Sequence, residues 1–260
     1  MKALLAAVAF LTRVPVPTRW RFDALDVGRA TVFFPLVGAG IGGVAVVALK
    51  LLSVRVAWGQ APGFGAPWLP PALTAVCLVS LTAWVTGGLH LDGLADMADG
   101  FGGGRSREEV LRIMRDPSIG AFGATALVLL LLGKVLSLGS LIERGTAARY
   151  LLVAPALGRW ATVALGRFLP YARREGGLGT ALTDHVGSRE FLGATVLAAA
   201  LSLLVGPLAA AACWGATILV TAIVGRGSQR RIGGVTGDIM GAASELTEVA
   251  VLAVAVAFSG

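Results

Sequence analysis

This chain of 260 residues is short of charge, sulfur and histidine: charged residues make up 14% of it, and it holds two Cys and two His. Soluble globular domains carry about 25% charged residues, so the scarcity of charge excludes an ordinary soluble fold. Cys77 and Cys213 both lie inside apolar runs, which excludes a disulfide framework and reads as inert packing. No Cys/His metal site, nucleophilic Ser or Cys motif or Walker loop is present. The net charge of +7 comes from arginines spaced between apolar runs rather than gathered on one patch, so nucleic acid is excluded as a partner.

What the chain has instead is hydrophobic residues (56%), 36 Gly and a mean hydropathy of +0.79. Runs near the length of about 20 residues that a membrane span needs occur at Val32–Leu52, Trp68–Thr86, Ala121–Ile142, Tyr150–Phe168, Phe191–Val205, Pro207–Val224 and Leu246–Phe258. They predict an all-α, polytopic integral membrane helical bundle, with about seven transmembrane helices whose small residues permit close packing. Met1–Leu11 is a short apolar run followed by TRVPVP rather than a small-residue cleavage site, so it is expected to stay as an interfacial helix. No segment is long and polar enough to form a separate soluble domain, and residues 1–260 read as one membrane-embedded domain.

With the N-terminus inside, sixteen Lys and Arg residues fall in inside segments and only Arg55, Arg144 and Arg149 outside. Lys50, Lys134 and Arg159 lie within spans. The positive-inside rule then puts every polar cluster described next on the cytoplasmic side.

Thr86–Gly100, TGGLHLDGLADMADG, follows directly on an apolar run and carries Asp92, Asp96 and Asp99. At about 100° per residue the three fall within an arc of about 60° on a helix, making one carboxylate face. Like charges there repel, and each Asp costs about 2.5–3.5 kcal/mol at mid-membrane depth. A divalent cation offsets both penalties, and hard carboxylate oxygens suit Mg²⁺ or Mn²⁺. Gly87, Gly88 and Gly93 would let a bulky phosphorylated ligand approach the backbone. Two other readings fit the same residues: a span end facing water, and a proton or cation pathway. His90 points off the stripe and suits either substrate binding or a structural role.

Arg105–Gly123, RSREEVLRIMRDPSIGAFG, opens with Ser106 and Glu109 at capping-box spacing and predicts a short interfacial helix broken at Pro117. Arg105 and Arg107 suit a positive-inside anchor, whereas Arg115 and Asp116, beside Gly120 and Gly123, favour a site role. In Arg230–Glu248, RRIGGVTGDIMGAASELTE, Arg230 and Arg231 precede a Gly pair and Thr236, a plausible anion cradle. Asp238 and Glu245, seven apart, share a helical face there. Arg13 in FLTRVPVP, and Arg173, Arg174 and Glu175 in YARREGGLG, are either surface anchors or parts of loops over an anionic ligand. Two carboxylate faces with arginines and glycine turns form the equipment of metal-assisted phosphoryl transfer at a membrane face.

The motifs FLTRVPVP (10–17), GGLHLDGLADMADG (87–100), IMRDPSIGAFG (113–123), REGGLG (174–179) and GGVTGDIMGAASELTE (233–248) closely resemble, in order and along the whole length, the cobalamin synthase (adenosylcobinamide-GDP ribazoletransferase) family. The resemblance implies a multi-pass enzyme of the cell inner membrane that needs Mg²⁺. It would join adenosylcobinamide-GDP to α-ribazole or its 5′-phosphate, giving adenosylcobalamin or its phosphate and GMP. It implies Asp92, Asp96 and Asp99 as catalytic and metal-binding, with Asp238 and Glu245 as further ligands. Arg13, His90, Arg115, Asp116, Arg174, Arg230, Arg231 and Thr236 are then expected at the substrates, and Asp99 is a candidate base. The acidic block also looks related to the Asp-Gly-x-x-Ala motif of CDP-alcohol phosphotransferases. The Arg that follows their Ala is absent, because Asp96 follows Ala95. An ion-coupled transporter would favour paired halves with broken helices, and no internal repeat is present.

Overall fold

The computed structural model describes residues 1–17, 19–55, 63–65, 67–173, 175 and 179–259. Those residues form twelve α-helices: α1 (Lys2–Leu11), α2 (Ala24–Ala30), α3 (Phe34–Leu52), α4 (Pro71–Thr86), α5 (Leu89–Gly103), α6 (Arg107–Ile113), α7 (Ala121–Glu143), α8 (Ala147–Phe168), α9 (Thr180–Asp184), α10 (Ser188–Ser202), α11 (Pro207–Ile232) and α12 (Gly237–Phe258). The only strands among them are the two-residue ribbon Val54–Arg55 with Gly63–Phe64. The protein is therefore the all-α membrane bundle its apolar runs imply.

Five stretches are long and apolar enough to cross a bilayer: Ala24–Leu52, α7, Ser188–Val205, α11 and α12. Helices α4 and α5 pass the same test only as a pair, and they are bent by 91° at their junction. The bend sits at Gly87 and Gly88, both in the left-handed region (φ 69° and 73°), where a side chain would be strained. Their N–H groups bond the carbonyls of Trp84 and Ala83, closing α4 before the chain turns. Two boundaries differ from the apolar runs. Helix α11 continues through Arg226, Arg230 and Arg231, and α12 begins at Gly237 rather than Leu246. Hydropathy marks where a helix leaves the lipid, not where its hydrogen-bond ladder ends.

Helix α8 is the axle of the bundle, with seventeen of its 22 residues buried. It carries Arg149, Arg159 and Arg167 and, unlike the five stretches above, is not apolar enough to count as a span, so the seven expected spans become five, or six with the bent pair; α8, which covers the run Tyr150–Phe168, is surrounded by other helices instead. Pro155 lies within it and has no N–H to give the Leu151 carbonyl. Helix α3 crosses at that point through glycine: a Cβ on Gly42 would lie 1.8 Å from the Leu151 oxygen, and one on Gly38 2.4 Å from the Pro155 oxygen. The orphaned carbonyl thus meets a bare Cα, a close contact of the kind that binds membrane helices.

Two arginines tie helix ends to one another. Arg107 donates to the carbonyls of Ile232 (2.8 Å) and Ala172 (2.7 Å), and Arg231 to those of Phe101 (2.9 Å) and Gly104 (3.2 Å). These guanidinium straps hold the ends of α5, α6 and α11 and the segment after α8 together.

Replacing Gly42 by Leu should lower the melting temperature of the detergent-solubilised protein by about 5 °C or more, since overpacking costs typically 1–3 kcal/mol and this contact leaves no room at all. Gly40→Leu, on the same helix with nothing within 4 Å of its Cβ position, should melt within about 1 °C of wild type. Equal melting of the two would refute the packing.

Candidate active site

The site is assembled on α5, which lies across the polar-loop end of the bundle. Its glycines bring it against α12: a Cβ on Gly93 would sit 2.7 Å from the Asp238 carbonyl oxygen, and one on Gly241 3.1 Å from the His90 Cα. The adjoining side of α5 carries the acidic stripe. Asp92 is exposed and Asp96 half-buried, and neither has a hydrogen-bond or ion-pair partner among the described residues. Four residues apart on one helix, their Cβ atoms are separated by about 5–6 Å. Asp96 also feels the charges of Asp238, Asp92 and Asp99, offset by Arg173.

The other acids of the stripe and of α12 are engaged. Asp99 accepts the Gly120 N–H at 2.7 Å and the Gly123 N–H at 2.8 Å, one on each carboxylate oxygen. It therefore caps the start of α7 from a neighbouring helix, where the helix dipole favours an anion. A Cβ on Gly120 or Gly123 would come within 2.5 Å of an Asp99 oxygen, which explains the glycines of the IGAFG segment. At the start of α12, Thr236 caps through Ile239 N–H (3.3 Å) and donates to Asp238 (3.2 Å), and Arg173 donates to the same Asp238 oxygen at 2.7 Å.

Asp92 and Asp96 form part of the lining of a cleft of about 760 Å³, with Arg13, Arg115, Asp116 and the glycine bend also on its walls. The Arg13 guanidinium lies over Gly87, whose Cβ would be 2.4 Å from its Nε. The backbone N–H of Arg13 bonds the Val85 carbonyl at 2.8 Å, which fixes the N-terminal segment at the bend. Arg115 pairs with Glu175 at 2.6 Å, and both are exposed. That hydrogen bond holds the Glu175 carboxyl below its ordinary range, yet an exposed pair of this kind contributes little and can exchange partners. Asp116 accepts the Ser118 N–H at 2.9 Å, which turns the chain at Pro117 and keeps its carboxyl low. Met114 and Val110 of the α6 segment bury against α5 at Gly100 and Gly104. Ser106 caps α6 as expected, while Glu109 reaches back to the Arg105 N–H rather than to that of Ser106.

Several residues expected at the site lie elsewhere. His90 is 4% exposed, turned toward α12, with Nδ1 unpartnered among the described residues. Glu245 is separated from Asp238 by two helical turns and bonds Lys134 inside the bundle at 2.5 Å, so the two do not form a joint carboxylate face. Arg231 is spent on backbone carbonyls of α5, and Arg230 is exposed at the end of α11. Arg174 lies outside the described residues. Arg173, its neighbour, is the one that reaches Asp238, and the doublet gave no means of choosing between them.

Among the described residues no group of three or more His, Cys, Asp or Glu side chains is close enough to hold a metal ion by itself. The donors present still suit Mg²⁺, which keeps water and takes one or two carboxylates together with substrate phosphates. Asp92 and Asp96 are such a pair: oxygen donors only, adjacent, without partners, and open to a cleft with arginine on its walls.

The sequence model of the cobalamin-5-phosphate synthase family matches residues 3–256. Adenosylcobinamide-GDP ribazoletransferase of Chlorobaculum parvum is 39% identical over 260 residues, covering 98% of this chain and 95% of its own. The enzyme of that name from Chlorobaculum tepidum is 38% identical, covering 96% and 93%, and that from Herpetosiphon aurantiacus 39% identical, covering 99% and 97%. No solved structure matches the chain.

Asp99→Ala should destabilise the protein by about 1–2 kcal/mol through loss of a two-bond helix cap, lowering the melting temperature by several degrees. Asp92→Ala, which breaks no hydrogen bond, should melt at or above wild type, because it removes a repelling charge. Thermal melting in metal-free buffer reads both, and a reversed order would refute the division of labour along the stripe.

Proposed function

From the premise that this chain belongs to the cobalamin-5-phosphate synthase family, we propose that it joins adenosylcobinamide-GDP to α-ribazole or α-ribazole 5′-phosphate, yielding adenosylcobalamin or its 5′-phosphate and GMP. The observation that carries the reading is the pair Asp92 and Asp96, two carboxylates without a partner among the described residues, on the wall of a cleft that also presents Arg13 and Arg115. A lining that carries both carboxylates and guanidiniums suits a diphosphate together with a metal ion, and suits an apolar or purely anionic ligand less well.

In this mechanism the ribose hydroxyl of the ribazole attacks the phosphorus attached to cobinamide. A phosphorus–oxygen bond forms to that hydroxyl, and the bond from the same phosphorus to the bridging oxygen breaks, so GMP leaves with the bridging oxygen and its electron pair. Mg²⁺ bound by Asp92 and Asp96 would neutralise charge on the diphosphate oxygens. Arg13, held over the glycine bend, and Arg115, releasing exposed Glu175, bind the remaining oxygens and the departing phosphate. The hydroxyl proton passes to a carboxylate of the same face. Asp99 is the poorest acceptor, because both its oxygens already take N–H bonds. Asp238, whose backbone meets Gly93 of α5, is held by Arg173, which also reaches the Met114 carbonyl of the α6 segment.

The enzyme works at the cytoplasmic face of the inner membrane, a placement supported by the excess of arginine in the loops at the cleft end. Its small-molecule substrates are polar and arrive from that side.

Purified protein in lipid should release GMP from adenosylcobinamide-GDP only when α-ribazole or its phosphate and Mg²⁺ are both present. EDTA should abolish release and added Mg²⁺ restore it. Asp92→Asn and Asp96→Asn should each lower kcat by about 10²-fold or more. GMP release by wild type that is indifferent to EDTA would remove the metal, and full activity in both variants would remove the site.

A further inference from the structure

Four ionisable side chains lie inside the bundle, away from the cleft, and take no part in the chemistry above. Lys134 lies buried midway along the apolar α7, Arg159 is 1% exposed on α8, and Glu245 and Glu248 lie one turn apart on α12. The Lys134 ammonium donates to Glu245 at 2.5 Å and to Glu248 at 2.6 Å, and the Arg159 guanidinium pairs with the other oxygen of Glu248. The group is a connected chain, Glu245–Lys134–Glu248–Arg159, of zero net charge across three helices. Two small cavities, about 20 and 30 Å³, adjoin Lys134 and Glu248. Each has room for a single water to serve the remaining lone pairs.

Helix α12 carries these acids and also Asp238, seven residues earlier and therefore about 10 Å along the same axis. Between them it meets its neighbours at several glycines, with the Ile239 and Met240 side chains packed in the core. Gly93 of α5 abuts the Asp238 carbonyl, Gly241 faces His90, and Gly158 of α8 lies where a Cβ would be 2.8 Å from the Ser244 carbonyl. Such flat glycine contacts resist approach more than sliding. A slide of α12 would move Asp238 relative to α7, α8 and the α5 that Asp99 ties to α7, and the directional ties that oppose it are the Thr162 hydroxyl on the Met240 carbonyl, the pairing of Val235 with Pro170 and Ala172, and the ion chain. The ion chain is directional. Any axial shift large enough to break it leaves charges unpaired in the bundle interior, where a single water cannot replace a counter-ion.

We propose that Lys134, Glu245, Glu248 and Arg159 are positioning residues for the reaction, a neutral ion quartet that sets the axial register of α12 against α7 and α8 and so seats Asp238 and α5 beneath the cleft. The proposal rests on the cleft being the reaction centre, and its test includes a readout that does not. A Cβ on Gly133 of α7 would lie 2.9 Å from the Val249 Cγ2 of α12, which keeps the two Cβ positions within about 4.4 Å, the spacing a disulfide requires. A Gly133→Cys, Val249→Cys pair, in a background with Cys77 and Cys213 replaced by Ser and Ala, therefore reports the register of α12 against α7 by its oxidation rate.

Lys134→Met is expected to lower kcat about tenfold or more per folded molecule, with KM for the nucleotide substrate changed less than about twofold, and to slow the cross-link. The exchanged pair Lys134→Glu with Glu245→Lys restores neutrality and the tie, and should recover both. If Lys134→Met does not accumulate, the isosteric Glu245→Gln supplies the single-variant measurement. Unchanged kcat in the single variant, an unchanged cross-linking rate, or no recovery in the exchanged pair would each overturn the proposal. Wild type that released no GMP would sink the function while leaving the cross-linking comparison to judge the register.

Discussion

A charge removed from water must find a partner, and this fold is organised around that requirement. Four acids of the bundle are matched by the protein itself. Glu245 and Glu248 have Lys134 and Arg159, Asp238 has Arg173, and Asp99 has two backbone N–H groups. Subtracting them leaves exposed Asp92 and half-buried Asp96, the members of the acidic stripe with no partner among the described residues. The proposal that the cleft is a site takes its physical sense from that contrast.

Glycine gives the arrangement its closeness. The same residue type serves three distinct ends: left-handed backbone at the 91° bend, bare Cα surfaces where α3 meets α8 and α5 meets α12, and clearance for the Asp99 carboxylate at Gly120 and Gly123. Proline contributes once in the opposite sense, since Pro155 frees the carbonyl that Gly42 receives. Shape and charge are thus coupled, because the acid groups come near one another only where side chains have been given up.

Much of this could be read from the chain. The membrane class, the carboxylate stripe and the α6 cap followed from periodicity and spacing. Individual roles within the clusters did not follow. On a helical wheel Asp99 is equivalent to Asp92, and only the tertiary neighbour that presents two N–H groups sets it apart. Asp238 and Glu245 share a face of α12, yet that face looks toward α5 at one end and toward Lys134 further along. Arg231 and Arg173 sit in basic doublets, where sequence offers no way to tell which guanidinium turns inward. Helix boundaries were least legible at α11 and α12, where charged residues prolong helices that hydropathy cuts short.

The burial of α8 also bears on how such a protein is made. An arginine at the centre of a span costs about 2.5–3.5 kcal/mol on insertion, and the partner that offsets this for Arg159 is Glu248, 89 residues downstream. The ribosome therefore delivers α8 well before the helix that neutralises it. During that interval the young chain must shelter an unmatched guanidinium, at the lipid headgroups or against the insertion machinery. Completion of α12, rather than translation of α8 itself, is then what settles the axle of the molecule among its neighbours.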